Sequence, residues 1–160
     1  MTKVTPADYQ ALAEFRYQIR AFLAFSEQAV QAAGIEKQQY QFMLAMKGMP
    51  DGTRPRIREL SDRMLIQHHS AVELANRLEA GGLIRRERSA DDKREVFLAL
   101  TNKGERILNK LALHHHQELQ SAAPKLIAAL RRVTVERKDG NHGRAQRQKR
   151  NDVTSEALSS

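Results

Sequence analysis

At 160 residues and without a cysteine, the chain is long enough for one hydrophobic core and short of two, and it excludes disulfide frameworks, thiolate zinc sites and cysteine oxidation sensors. Its 27 Lys and Arg against 19 Asp and Glu leave a net charge of +8, which favours a polyanionic partner such as double-stranded DNA. No stretch approaches the roughly 20 consecutive apolar residues of a membrane span. The opening MTKVTPADYQALAEF lacks the apolar centre of a secretory signal, so a cytoplasmic protein with no membrane association is expected.

The first predicted element is one long helix over about 6–34. Thr5 caps Pro6, Asp8 completes a capping box, and Leu12, Phe15, Ile19, Phe22, Ser26, Ala29 and Val30 form a stripe that ends at Gly34. A second helix spans Glu36 to Lys47. Its apolar residues Tyr40, Phe42, Met43, Leu44 and Met46 fall on more than one side, as in a helix packed between neighbours. Gly48, Pro50, Gly52 and Pro55 punctuate a loop, with Arg54 and Arg56 leading out of it.

A short helix, IRELSDRM, then a tight LIQHH connection and a second amphipathic helix, SAVELANRLEA, form a helix-turn-helix. Ala71, Leu74, Ala75 and Leu78 recur at helical spacing, which turns His69, Glu73 and Asn76 outward. After Gly81-Gly82, strands at Leu83–Arg88 and Glu95–Leu100 flank a short polar turn; Val96, Leu98 and Leu100 share one face of the second. Arg85, Arg86, Arg88, Lys93 and Arg94 lie along this hairpin, where they can meet phosphates or enter a narrow minor groove. Asp92 is placed to orient Arg94, and forming the turn is an equally good reason for it.

Thr101 is a helix cap, and a second long helix follows toward Gln120 with a break at Pro124 before KLIAALRRV. Leu108, Leu111, His115, Ala122, Leu126, Leu130 and Val133 continue a three-four spacing. With few aromatics and a thin core, these stripes need a second chain to cover them, which makes Leu108, Leu111, His115, Leu126 and Leu130 the expected dimer interface. Residues 136–160 hold six cations and two glycines with almost nothing to bury, and are expected to form a mobile basic tail.

The run LIQHHSAVELANRLEAGGLIRRERSADDKREVFLALTNKG resembles the winged helix of the MarR (multiple antibiotic resistance regulator) family. The elements that carry the likeness are Arg77-Leu78-Glu79, Gly82-Leu83-Ile84, Asp92-Lys93-Arg94 and Leu100-Thr101-Asn102-Lys103-Gly104, in that order and spacing. The resemblance covers about residues 6–135 and is strongest over 57–106. It implies a mainly α fold with a small β-hairpin: a winged helix over about 54–101 between dimerisation helices at about 6–34 and 102–135, within a single domain of residues 1–135.

By the same resemblance, Gln67, His68, His69 and Ser70 meet DNA from the first turn of the recognition helix, with Asn76 and Arg77 further along it. Glu73 departs from the cation usual in the family; it can accept from a cytosine amino group or pair with Arg77 one turn later, and the pair is preferred. An effector pocket would lie between the dimerisation helices and the DNA-binding lobe. Phe22, Phe25, Tyr40 and Met43 are its candidate lining, although core packing explains them equally well.

Catalytic signals are absent from the sequence: it has no glycine-rich phosphate loop, nucleophile elbow or hydrolase histidine spacing. His114, His115 and His116 diverge by about 100° each on a helix and make no tripod for a metal, so neither a metal nor a cofactor is expected. The expected function is a ligand-responsive repressor that binds a pseudo-palindromic operator as a homodimer. The alternative is a winged helix used for architecture or protein contact, without a small-molecule switch.

Overall fold

The computed structural model describes residues 4–89 and 94–134. The element order is α1 (Pro6–Ala32), α2 (Lys37–Lys47), α3 (Ile57–Met64), α4 (His68–Ala80), β1 (Ile84–Arg88), β2 (Val96–Leu100) and α5 (Asn102–Thr134). The strands form one antiparallel hairpin, so the chain is mainly helical with a small wing. Among the described residues no helix is long and apolar enough to cross a membrane. The basic segment 136–160, expected to be mobile, lies outside the described residues.

Local chemistry sets the helix ends. At the start of α1 the Thr5 amide donates to Asp8 Oδ2 at 2.7 Å, with Pro6 at the first helical position. α1 closes in a Schellman motif: the Gly34 and Ile35 amides donate back to Gln31 and Val30, and Gly34 takes φ +74°. α4 closes the same way, with Gly82 at φ +68° and the Leu83 amide on Leu78 O at 2.9 Å. α3 uses this geometry without glycine. Leu65 adopts φ +55°, at a cost of about 1–2 kcal/mol for a side chain in the left-handed region.

The core lies where α2, α4, the hairpin and the first half of α5 meet. Tyr40, Phe42, Met43 and Met46 of α2 pack against Ala71, Leu74, Ala75 and Leu78 of α4, with Leu83, Ile84 and Leu98 from the wing and Leu108 and Leu111 from α5. α1 lies along α5 and contributes Val30.

The exit from the wing is locked by side-chain chemistry. Thr101 Oγ1 accepts from the Gly104 amide at 3.1 Å and donates to Gly82 O at 2.7 Å, while the Thr101 amide reaches Leu83 O at 3.0 Å. Gly104 packs so closely that a Cβ there would overlap the Leu83 carbonyl oxygen. This explains the L-T-x-x-G pattern: the threonine caps α5 and ties it to β1, and the glycine lets the two backbones meet.

Two expectations are corrected. α5 runs unbroken through Pro124. Proline removes only the bond to Gln120 O, and both residues are exposed, so water can satisfy that carbonyl. His68 and His69 belong to the first turn of α4, not to the connection before it. Of the stripe expected at a dimer interface, Leu108, Leu111 and His115 are only 2%, 3% and 5% exposed within one chain, Leu108 and Leu111 in the core and His115 against rings of α1 and α2. Leu126 is half-buried and Leu130 is 46% exposed, so the outward part of the stripe is its C-terminal half.

Candidate nucleic-acid interface

The buried stripe of α4, each member at most 1% exposed, fixes what the helix shows to solvent. Gln67, His68, His69, Glu73, Asn76 and Arg77 are all exposed and Ser70 is half-buried. Ile66 is pinned beside the core through its amide, which donates to Ser61 O at 3.1 Å, so the short turn holds the start of α4 against α3.

Strand register decides where the wing cations go. Ile84 pairs with Leu100, Arg86 with Leu98 and Arg88 with Val96, which places these six on one face, while Arg85, Glu87, Phe97 and Ala99 occupy the other. Burial on the first face fades from Leu98 toward the tip, and Val96 is 37% exposed. Phe97 is buried on the second face, beneath a lid of two cations. The Arg54 and Arg56 guanidinium carbons lie 4.1 and 5.1 Å from its ring centre. Period-two patterning alone did not show this, because the cover comes from a loop 41 to 43 residues earlier; the Leu98 amide, donating to Pro55 O at 2.9 Å, holds that loop against β2.

Most of the arginines proposed to meet DNA already hold an acceptor. Arg85 binds Glu87 at 2.8 Å and donates to Leu100 O at 3.0 Å. Arg86 forms an ion pair with Glu79 and donates to Asn76 Oδ1 at 2.7 Å. Arg54 and Arg56 bind Glu87 and Glu95 at 3.0 and 2.6 Å. Arg77 pairs with Glu36 at 2.9 Å and not with Glu73, which corrects the expected pair within α4. Arg88 and Arg94 are exposed; among the described residues Arg88 has no ion-pair partner. Asp92 and Lys93 lie outside the described residues. Exposed pairs of this kind are worth about 0–1 kcal/mol each, so a phosphate can displace the carboxylate at little cost.

Phe22, Phe25 and Tyr40 converge on one buried imidazole. His115 stacks on Tyr40 with ring centres 4.7 Å apart, and Phe22 and Phe25 meet it edge-on at 6.3 and 6.1 Å. Its Nδ1 lies 2.7 Å from Leu111 O, and its buried Nε2 has no hydrogen-bond partner. Burial raises the pKa of the Tyr40 hydroxyl, which therefore stays protonated at neutral pH. Met43, on the same helix as Tyr40, is fully buried in the core. An open groove runs beside it between the end of α1 and α5, lined by Ala29, Ala32, Ala33, Lys110, Leu113 and His114 among others, and His114 packs edge-on against Phe25 at 5.0 Å. None of the four candidate lining residues borders this groove. Among the described residues no three His, Asp or Glu side chains group closely enough to hold a metal ion.

Residues 33–95, from the end of α1 to the second strand's approach, match the model of the MarR family. Nearly the whole chain is similar in fold to AbsC, a MarR family transcriptional regulator from Streptomyces coelicolor, at 21% identity and TM-score 0.60 over 99% of this chain and 98% of that one. Staphylococcus aureus MarR, solved with salicylate and kanamycin, is similar at 23% identity and TM-score 0.60 over 93% and 88% of the two chains. A Staphylococcus aureus MepR variant bound to an oligodeoxyribonucleotide is similar at 16% identity and TM-score 0.58 over 97% and 98%. No curated protein sequence matches the chain.

Proposed function

We propose, from the match of residues 33–95 to the MarR family model and the fold shared with MarR family regulators, that this chain is a ligand-responsive repressor which binds a pseudo-palindromic operator as a homodimer. The observation that carries the reading is the Arg86 bridge. By joining β1 to Asn76 and Glu79, it presents the outward face of α4 and the basic wing as one surface. α4 has the diameter of a major groove, and a two-stranded ribbon carrying arginine suits the flanking minor groove.

The dimer is supported by apolar side chains that the single chain leaves uncovered. Tyr9, Leu12 and Tyr17 on α1 and Leu113, Leu119, Ile127 and Leu130 on α5 are each 40% exposed or more. Two-fold symmetry then places two α4 helices on two half-sites. The effector reading rests on the rings around His115, whose unpartnered Nε2 offers a polar handle in an apolar setting between the terminal helices and the winged helix. A ligand there acts only through unequal affinity for two spacings of the α4 pair. That one relative was solved with DNA and another with small molecules is consistent with both halves of this proposal.

Two substitutions test the groove assignment. His69→Ala is expected to relax base preference at one position in each half-site, at a cost of about 1–3 kcal/mol. Arg94→Ala is expected to weaken binding chiefly where the flank is A·T-rich and the minor groove narrow. Binding is measured on operators with altered half-sites and on operators with altered flanks. The same profile for both variants on both sets would show that helix and wing do not read separate grooves.

A further inference from the structure

α4 carries one carboxylate in the middle of its outward face, and the structure leaves it without an intramolecular role. Glu73 is exposed, one turn beyond His69 and just before Asn76 and Arg77. The cation one turn later that could neutralise it, Arg77, is drawn instead to Glu36 at the start of α2. The nearest wing cation bound to this helix, Arg86, is held by Glu79 and Asn76. Among the described residues Glu73 makes no hydrogen bond or ion pair.

We infer that Glu73 is a specificity-determining residue that accepts a hydrogen bond from the amino group of a cytosine in each half-site. The inference rests on the reading that α4 enters the major groove. A carboxylate carried toward DNA is repelled by every phosphate and gains only where it finds a donor. The major groove offers two, the N4 amino group of cytosine and the N6 amino group of adenine. Adenine N6 lies between its own N7 and O4 of the paired thymine, two acceptors that repel a carboxylate. Cytosine N4 has one such neighbour, O6 of the paired guanine, and a C–H on its other side, so cytosine is the better match. Four residues separate Glu73 from His69, about 6 Å along the helix, which places the cytosine within two base pairs of the base met by His69.

The experiment is selection from a random-sequence duplex library with the wild-type full chain, Glu73→Ala and Glu73→Gln, each shown by circular dichroism to be folded. The wild type is expected to enrich cytosine at one position of each half-site. Glu73→Ala loses that preference by roughly 5- to 150-fold in the ratio of cytosine to other bases, with other positions unchanged. Glu73→Gln moves the preference to adenine, whose N6 and N7 an amide can satisfy together. Losing a negative charge strengthens binding to all DNA alike, and the base ratio cancels that effect. The same motif from all three proteins would overturn the role of Glu73 while leaving operator binding intact. No motif from the wild type would overturn the operator reading itself.

Discussion

Leu130→Asp is expected to leave folded monomers, whereas Leu111→Asp is expected to leave no folded chain. Both leucines lie on one helical stripe of α5, but Leu111 is 3% exposed and Leu130 is 46% exposed in the isolated chain. An aspartate at 111 places an unpaired charge in the chain's own core, at a cost of several kcal/mol that exceeds what a small domain can absorb. At 130 the same charge is solvated in the monomer and becomes costly only when a second chain covers it. Sedimentation velocity at micromolar concentration together with far-ultraviolet circular dichroism separates the two. A wild-type chain that sediments as a folded monomer there would remove the dimer from the proposal.

The second large effect is expected from one methyl group. Gly104→Ala sets a Cβ against the Leu83 carbonyl oxygen, a backbone atom that cannot rotate away, so α5 and β1 must separate. Overpacking of this kind costs about 1–3 kcal/mol, and here the upper end is expected because the displaced oxygen also accepts the Thr101 amide. Thermal unfolding should fall by several degrees, with DNA affinity reduced through the dislodged wing. Gly81→Ala is the control: at φ −75° its Cβ meets only ordinary contacts, and stability is expected to stay the same or rise. Equal unfolding temperatures for Gly104→Ala and the wild type would show that the junction is not tight.

Much of this was legible in the sequence because spacing and glycine placement are local signals. The three-four pattern of Ala71, Leu74, Ala75 and Leu78 set the inner face of α4, and Gly82 and Gly34 marked helix ends that are Schellman motifs. Leu65 was not legible as a left-handed residue, because a leucine carries no such signal and the tight turn after α3 imposes it. The arginine partners were hidden for another reason. Glu36 and Arg77 are 41 residues apart, and Arg54 and Glu87 are 33 apart, so only the fold brings their flexible ends together. A helical stripe also does not say whose surface covers it. His115 and Leu130 read alike in sequence, yet one is enclosed by Tyr40 and Phe22 and the other faces outward.

The clasp of Thr101 and Gly104 on the Gly82-Leu83 backbone makes the hairpin an extension of α5, and this gives the long helix a mechanical meaning. At 33 residues α5 is about 50 Å long. A tilt of only about 5° at its far end therefore carries the wing roughly 4 Å, more than the ~3.4 Å rise of one base pair. In the proposed two-fold dimer both wings would swing by that amount, so a ligand that changed the angle at which the terminal helices cross, without touching wing or α4, would take both hairpins out of step with the grooves they would otherwise share.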